Sequence, residues 1–132
     1  MQFFTTYIAG LVAFLVIDFI WLKYIALSFY REQIGHLMLD KPNLGIALLF
    51  YLLYVVGVVV LAVNPALEKG QWMTAALYGG LLGFVAYGTY DITNLATLKT
   101  WPPIVAVVDI IWGTVLTASV ATIAYFATTS LR

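Results

Sequence analysis

Three aspartates stand in stretches where an apolar chain should carry no charge. "VIDFIW" (16–21) and "VVDIIW" (107–112) each set an aspartate, Asp18 or Asp109, inside an apolar run, with a tryptophan, Trp21 or Trp112, three positions on. A third, Asp91, stands in "YGTYDITN" (87–94) beside Tyr87, Tyr90 and Asn94. Residues three apart share a helix face, so each D-x-x-W makes one acidic–aromatic edge. Carboxylates in that setting can attract a cation or exchange a proton, while the rings stack on it or take its charge over their faces. Paired carboxylates can also serve as general acid and base, or hold a divalent cation together with Asn94.

The surroundings decide what those carboxylates cost. The chain has 132 residues, 64% hydrophobic and 9% charged, with a mean hydropathy of +1.01. A soluble domain is about 25% charged, and so few charges could not cover a water-facing surface of this size. The composition is that of an integral membrane protein. Net charge is zero, which offers nucleic acid no basic surface. There is no cysteine for disulfides, iron–sulfur clusters or thiol catalysis, and a single histidine, His36, leaves the His-rich metal sites without ligands. No metal or cofactor is expected.

Four segments reach the roughly 20 apolar residues that a bilayer demands: 3–22, 44–63, 72–91 and 103–126. Unpaired backbone groups are untenable in lipid, so segments without strand alternation are expected to be helices. "KPN", "NPALEKG" and "TWPP" mark breaks between them. The expected fold is all-α: one transmembrane domain over 1–132, an integral membrane four-helix bundle with an interfacial helix between spans one and two. The N-terminus lacks a basic n-region and carries Asp18 in its apolar stretch, so it reads as a retained span rather than a cleaved signal. Lys23, Arg31, Lys41 and Lys99 lie in the first and third loops, against Lys69 and Arg132 on the other side. That bias puts the first and third loops in the cytoplasm and both termini outside.

Because successive spans alternate direction, the three aspartates fall in one layer on one side of the membrane. At 1.5 Å per residue, Asp18 lies roughly 6 Å inside residue 22, and Asp109 roughly 9 Å inside residue 103. Tyr90, Asn94, Trp21, Trp101 and Trp112 belong to the same layer, and the opposite half looks almost devoid of polar side chains. Aligning Asp18 with Asp91 also sets "GLVAFLVID" (10–18) on "GFVAYGTYD" (83–91), four of nine positions identical. That suggests a duplicated two-helix unit. The partner segments align poorly, which counts against it.

Span three carries the densest face. Gly80, Gly83, Tyr87, Tyr90 or Asp91, and Asn94 recur at helical spacing, the glycines suiting close helix approach. In the first loop Ser28, Arg31, Glu32, Gly35 and His36 share one face of a helix expected to lie against the carboxylate layer.

Plainer explanations stand beside these. An aspartate at the bilayer centre costs roughly 2.5–3.5 kcal/mol, and less towards the interface, so a single one could simply reach headgroups. Asp109 gains a little from the positive end of its own helix. Lys23 and Lys99 could curl back and neutralise part of the charge. Trp21, Trp72 and Trp101 sit where tryptophan collects at membrane edges in any case. Three carboxylates in one layer, with no basic residue inside any span, are harder to explain as structure alone.

With this span pattern, the two aspartate–tryptophan pairs and "YDITN…TWPP", the chain resembles an uncharacterised bacterial family of small four-span membrane proteins, catalogued as a domain of unknown function. The resemblance covers nearly the whole chain. It implies a multi-pass protein of the bacterial inner membrane, in the company of membrane fatty-acid modification enzymes, and assigns no activity, substrate or catalytic residue.

The residues favour binding or transport of a small cationic or amphiphilic ligand. Asp18, Asp91 and Asp109 would form the acidic core, with Tyr87, Tyr90, Asn94, Trp21 and Trp112 as its wall. Crowded in a poorly solvated layer, such carboxylates would share protons as a cluster. One alternative is a lipid-modifying enzyme or its accessory subunit, although no nucleophile–base pair or cofactor loop is visible. The other is a structural subunit of a larger membrane complex. Expected partners are membrane lipids, the ligand, and a second copy or a membrane-complex subunit.

Overall fold

A computed structural model describes residues 1–132 as an all-helical chain. Helix α1 spans Gln2–Ile20 and runs on through a π turn, Trp21–Ile25, before the chain bends at Ala26. A short α2, Leu27–Ile34, follows, closed by one 3₁₀ turn, Gly35–Leu37. Helix α3, Leu44–Val58, passes through a second π turn, Val59–Val63, into α4, Asn64–Lys69. Helix α5 spans Trp72–Thr97 and α6 spans Pro103–Leu131.

The punctuation is chemical. The Asn43 side chain accepts a hydrogen bond from the Ile46 amide at 3.1 Å, capping α3. Pro103 opens α6, where its missing N–H costs nothing. Gly70, at φ 66°, ends α4 in the left-handed conformation that other residues adopt only with strain. Pro65 does not end the second long helix at residue 63, as its sequence position suggested. The π turn just before it widens the backbone and absorbs both the missing donor and the ring's clash with the preceding turn. That helical run therefore extends from Leu44 to Lys69.

Gln2–Ile25, Leu44–Lys69 and Pro103–Leu131 are long and apolar enough to cross a membrane. Helix α5 has the length, at 26 residues, but its glycines, tyrosines and threonines dilute its apolar character. Only 28 of 132 residues are buried, and large apolar side chains such as Phe4, Leu49, Leu53, Leu81 and Phe84 lie more than half exposed. Apolar surface on that scale is unsuited to water and suited to acyl chains.

Helix α6 is the spine, packed against α5 and α1. Gly79 and Gly83, four apart, bring α5 onto α6: a Cβ at Gly79 would sit 2.8 Å from the Thr117 carbonyl oxygen, and one at Gly83 would overlap the Gly113 carbonyl. The close-packing pair is thus Gly79 with Gly83, one residue off the expected Gly80; a Cβ at Gly80 would have ordinary contacts at 3.7 Å or more. Gly113 in turn makes room for the Tyr87 ring. The apolar core gathers Phe14 of α1, Val55 and Val58 of α3, and Leu116, Val120 and Ala124 of α6.

The half of the molecule away from the aspartates holds more polarity than its sequence suggested. Thr6 and Thr128 are buried there and share a hydrogen bond of 2.6 Å between α1 and α6. One hydroxyl donates to the other, which in turn donates to the backbone carbonyl four residues back in its own helix, Gln2 or Ala124. Threonines satisfied locally in this way are compatible with an apolar setting, which is why they raise no signal in the sequence.

Candidate functional site: an acidic cavity walled by aromatic rings

The two D-x-x-W motifs meet by crossing over. Trp21 and Trp112 stack face to face, ring centroids 4.3 Å apart and planes within 8°. The Trp112 indole donates to Asp18 Oδ1 at 3.2 Å, so the tryptophan of one motif serves the carboxylate of the other. In the opposite direction Trp21 donates to the Tyr30 hydroxyl at 3.3 Å, and Tyr30 donates to Asp109. Asp18, on α1, and Asp109, on α6, thus each end a run of aromatic donors, and the two runs join where the Trp21 and Trp112 rings stack. The π turn that contains Trp21, and the bend after it, bring Tyr30 on α2 back over the site.

Beneath this clasp lies a cavity of about 700 Å³. Its wall has 18 residues, 15 of them hydrophobic, and includes Asp18 and Asp109 but no lysine, arginine or histidine. Pockets of roughly 300–1,000 Å³ suit small organic ligands. Phe14, Tyr51, Tyr54 and Tyr87 form the deep side. Phe14 packs against Tyr51 with centroids 4.9 Å apart, and Tyr54 meets Tyr87 edge to face at 6.5 Å. The Tyr54 hydroxyl is held by Thr117 at 2.8 Å. Leu27, Tyr30, Ile34 and Met38 close the cavity from the loop side.

Six of the eight residues singled out from sequence line this cavity: Asp18, Asp109, Tyr87, Tyr90, Trp21 and Trp112. Asp91 and Asn94 do not. Asp91 is fully buried behind the wall, facing Asp109 and Trp101, and neither of its oxygens accepts a hydrogen bond. Asn94 is only partly buried, one turn beyond. The three carboxylates do not close into a group that could hold a metal ion.

Other expectations are corrected. Trp101 is no membrane-belt residue: it is 8% exposed, lines the cavity and meets Tyr90 edge-on at 5.7 Å. Lys23 does not curl back to the carboxylates, since its ammonium lies over the rings of Phe19 and Tyr24 at 5.4 and 5.5 Å. The loop helix stops its α-helical course at Ile34 and turns its apolar side to the cavity, leaving Ser28, Arg31 and Glu32 exposed. His36 hydrogen-bonds Thr100 at 2.9 Å, tying this segment to the α5–α6 loop.

The residues that sequence reasoning missed are Tyr30, Tyr51 and Tyr54, while Trp101 was placed in the carboxylate layer but not in the wall. Tyr51 and Tyr54 stand three apart in "YLLY", the aromatic spacing already noticed beside the aspartates, and that was the signal available.

Burial, and then the neighbouring Asp109, hold the Tyr30 phenol well above the usual tyrosine range. Raising the pKa in the folded state means that the stabilisation is full below the unfolded value, about 10, and is lost as pH climbs beyond it. Tyr30→Phe is accordingly expected to lower stability by roughly 1.5 kcal/mol, the scale of a hydrogen bond to a charged group. The deficit against the parent should stay constant from pH 7 to about 10 and shrink above that. Denaturant unfolding of both proteins across this range checks it; a deficit that widens at alkaline pH would contradict the assignment.

Comparison with known proteins adds the class and no chemistry. The family described as "Predicted membrane protein (DUF2177)" matches residues 3–126. Neither a curated protein nor a solved structure matches the chain.

Proposed function

The chain belongs to this family of predicted membrane proteins, and on that premise we propose that it binds a small lipophilic cation in the cavity between α1, α3, α5 and α6. The observation that carries the reading is the make-up of the wall: two carboxylates, ten aromatic rings and no basic side chain. Such a surface attracts positive charge, accepts an apolar body and gives an anion nothing to pair with. Four membrane crossings belong to the same proposal. Helix α5 runs antiparallel along α6, Gly79 beside Thr117 and Gly83 beside Gly113, and so follows a neighbour that is itself long and apolar enough to cross. The loop charges then put the cavity's α2 side toward the cytoplasm.

A second reading has one specific support. Trp112 and Tyr30 already donate to Asp18 and Asp109, so the acids could serve as a clasp holding the helices together. Titration with tetraphenylphosphonium, followed by tryptophan emission, separates the two. Three of the four tryptophans line the cavity, and Trp72 stands apart from it. Saturable quenching that disappears when Trp21, Trp101 and Trp112 are all replaced by Phe, leaving Trp72 as the only emitter, is expected. Quenching that rises linearly, or survives in that variant, would favour the clasp.

A further inference from the structure

The cavity is open on one side, between α3 and α5. These helices meet through the π turn at Val59–Val63 and scarcely touch on the aspartate side of it. Tyr54 and Tyr87 still make an edge-to-face contact across the gap. One turn further on, Phe50 of α3 packs on Tyr54 and Tyr90 of α5 on Trp101, and the two rings do not pair with each other. Both line the cavity, yet Phe50 is 57% and Tyr90 56% exposed, as the two jambs of a mouth must be. Met38 and Pro42, also exposed, bound the mouth on the loop side.

This mouth faces acyl chains. Phe50 lies six residues inside the start of α3 and Tyr90 seven inside the end of α5. At 1.5 Å per residue both stand roughly 9–10 Å within the helix ends. The exposed lining residues include no charged side chain, and their neighbours Leu49, Leu53, Phe84 and Val85 turn outward, more than half exposed. Such a rim is suited to lipid rather than to water. The loop side is shut: Leu27, Tyr30 and Ile34 lie across it, and the His36–Thr100 hydrogen bond pins that segment to the α5–α6 loop.

We propose that the cavity is loaded sideways from the bilayer, and that its ligand is a membrane-resident amphiphile with a net positive head. The head rests at Asp18 and Asp109, and the chains pass between Phe50 and Tyr90 into the acyl layer. The inference rests on the cation-binding reading of the same cavity and adds the route and the tail. A ligand taken this way never brings its chains into water, so it escapes the cost of exposing each methylene. An open mouth also admits a two-chain lipid, which a sealed cavity of about 700 Å³ would not hold.

The test uses the full chain in uncharged maltoside micelles with two photoreactive lipids that carry a diazirine in their chains. One has a trimethylammonium-propane head and the other is phosphatidylglycerol. Labelled peptides are mapped by mass spectrometry with and without saturating tetraphenylphosphonium. The cationic probe should label residues around Phe50 and Tyr90, and that labelling should be lost under the competitor. Phosphatidylglycerol should label the outer helix faces, unchanged by the competitor. Cationic labelling that is spread evenly over the outer faces, or unmoved at the mouth by the competitor, overturns the inference and leaves cation binding standing. Competed labelling confined to α2 overturns the sideways route and assigns entry to the loop side. If tetraphenylphosphonium itself does not bind, the cavity reading fails with it. An Asp18→Asn, Asp109→Asn chain should lose the competed labelling, and labelling that persists there overturns the placement of the head. If that variant does not fold, the parent's labelling pattern alone decides.

Discussion

Gly83→Leu is expected to part α5 from α6. A Cβ at this position would overlap the Gly113 carbonyl oxygen and lie 2.7 Å from the Thr117 hydroxyl, and the carbonyl cannot retreat without moving the α6 backbone. Overpacking in a tight interface costs about 1–3 kcal/mol, and a clash with backbone belongs at the top of that range. Because Gly113 also houses the Tyr87 ring, separation of the two helices would disturb the cavity wall as well. Gly88→Leu is the matched control, since a Cβ there meets nothing within 4 Å. Thermal unfolding in detergent should show a large loss for Gly83→Leu and little for Gly88→Leu. Equal melting of the two variants would mean that α5 does not pack on α6 through this face.

The second large effect concerns charge. Replacing both Asp18 and Asp109 by asparagine keeps side-chain size, and an amide oxygen can still accept from Trp112 and Tyr30. The fold should survive with melting close to the parent, while affinity for a lipophilic cation falls by at least about tenfold for each charge removed, roughly 1.4 kcal/mol apiece. Melting curves and cation titrations on the same preparations check both halves. The clasp reading expects the reverse ranking: hydrogen bonds to neutral amides are weaker than those to carboxylates, so stability falls, and there is no binding to lose.

Much of this was legible in the sequence because it depends on local composition. Apolar runs of bilayer length dictate helices, and the alternation of their direction puts Asp18, Asp91 and Asp109 in one layer whatever their rotation. Partner choice was not legible, because it depends on how each helix turns about its axis. One residue is about 100° of rotation, which separates the true contact at Gly79 from the expected one at Gly80. The same uncertainty concealed the crossover of Trp21 and Trp112, whose edges had been read as two separate pairs. Tyr30 escaped notice because only the π turn at Trp21–Ile25 and the bend at Ala26 return the loop to the site. Trp101 was read from its position at a membrane edge, where a belt role is the common outcome, but the short α5–α6 connection tucks it inward against Tyr90. Asn94 shares the helical spacing of the wall residues but lies one turn past them.

The central claim is that the wall selects for positive charge, and a pair of probes with one shape and opposite charge tests it most directly. Equilibrium binding of tetraphenylphosphonium and of tetraphenylborate should be measured on the purified full chain under identical conditions, with free detergent or protein-free nanodiscs as the background. The account predicts saturable binding of the cation, at about one per chain, and none of the anion above background, since two carboxylates and no basic residue line the cavity. Anion binding equal to or tighter than cation binding would contradict it.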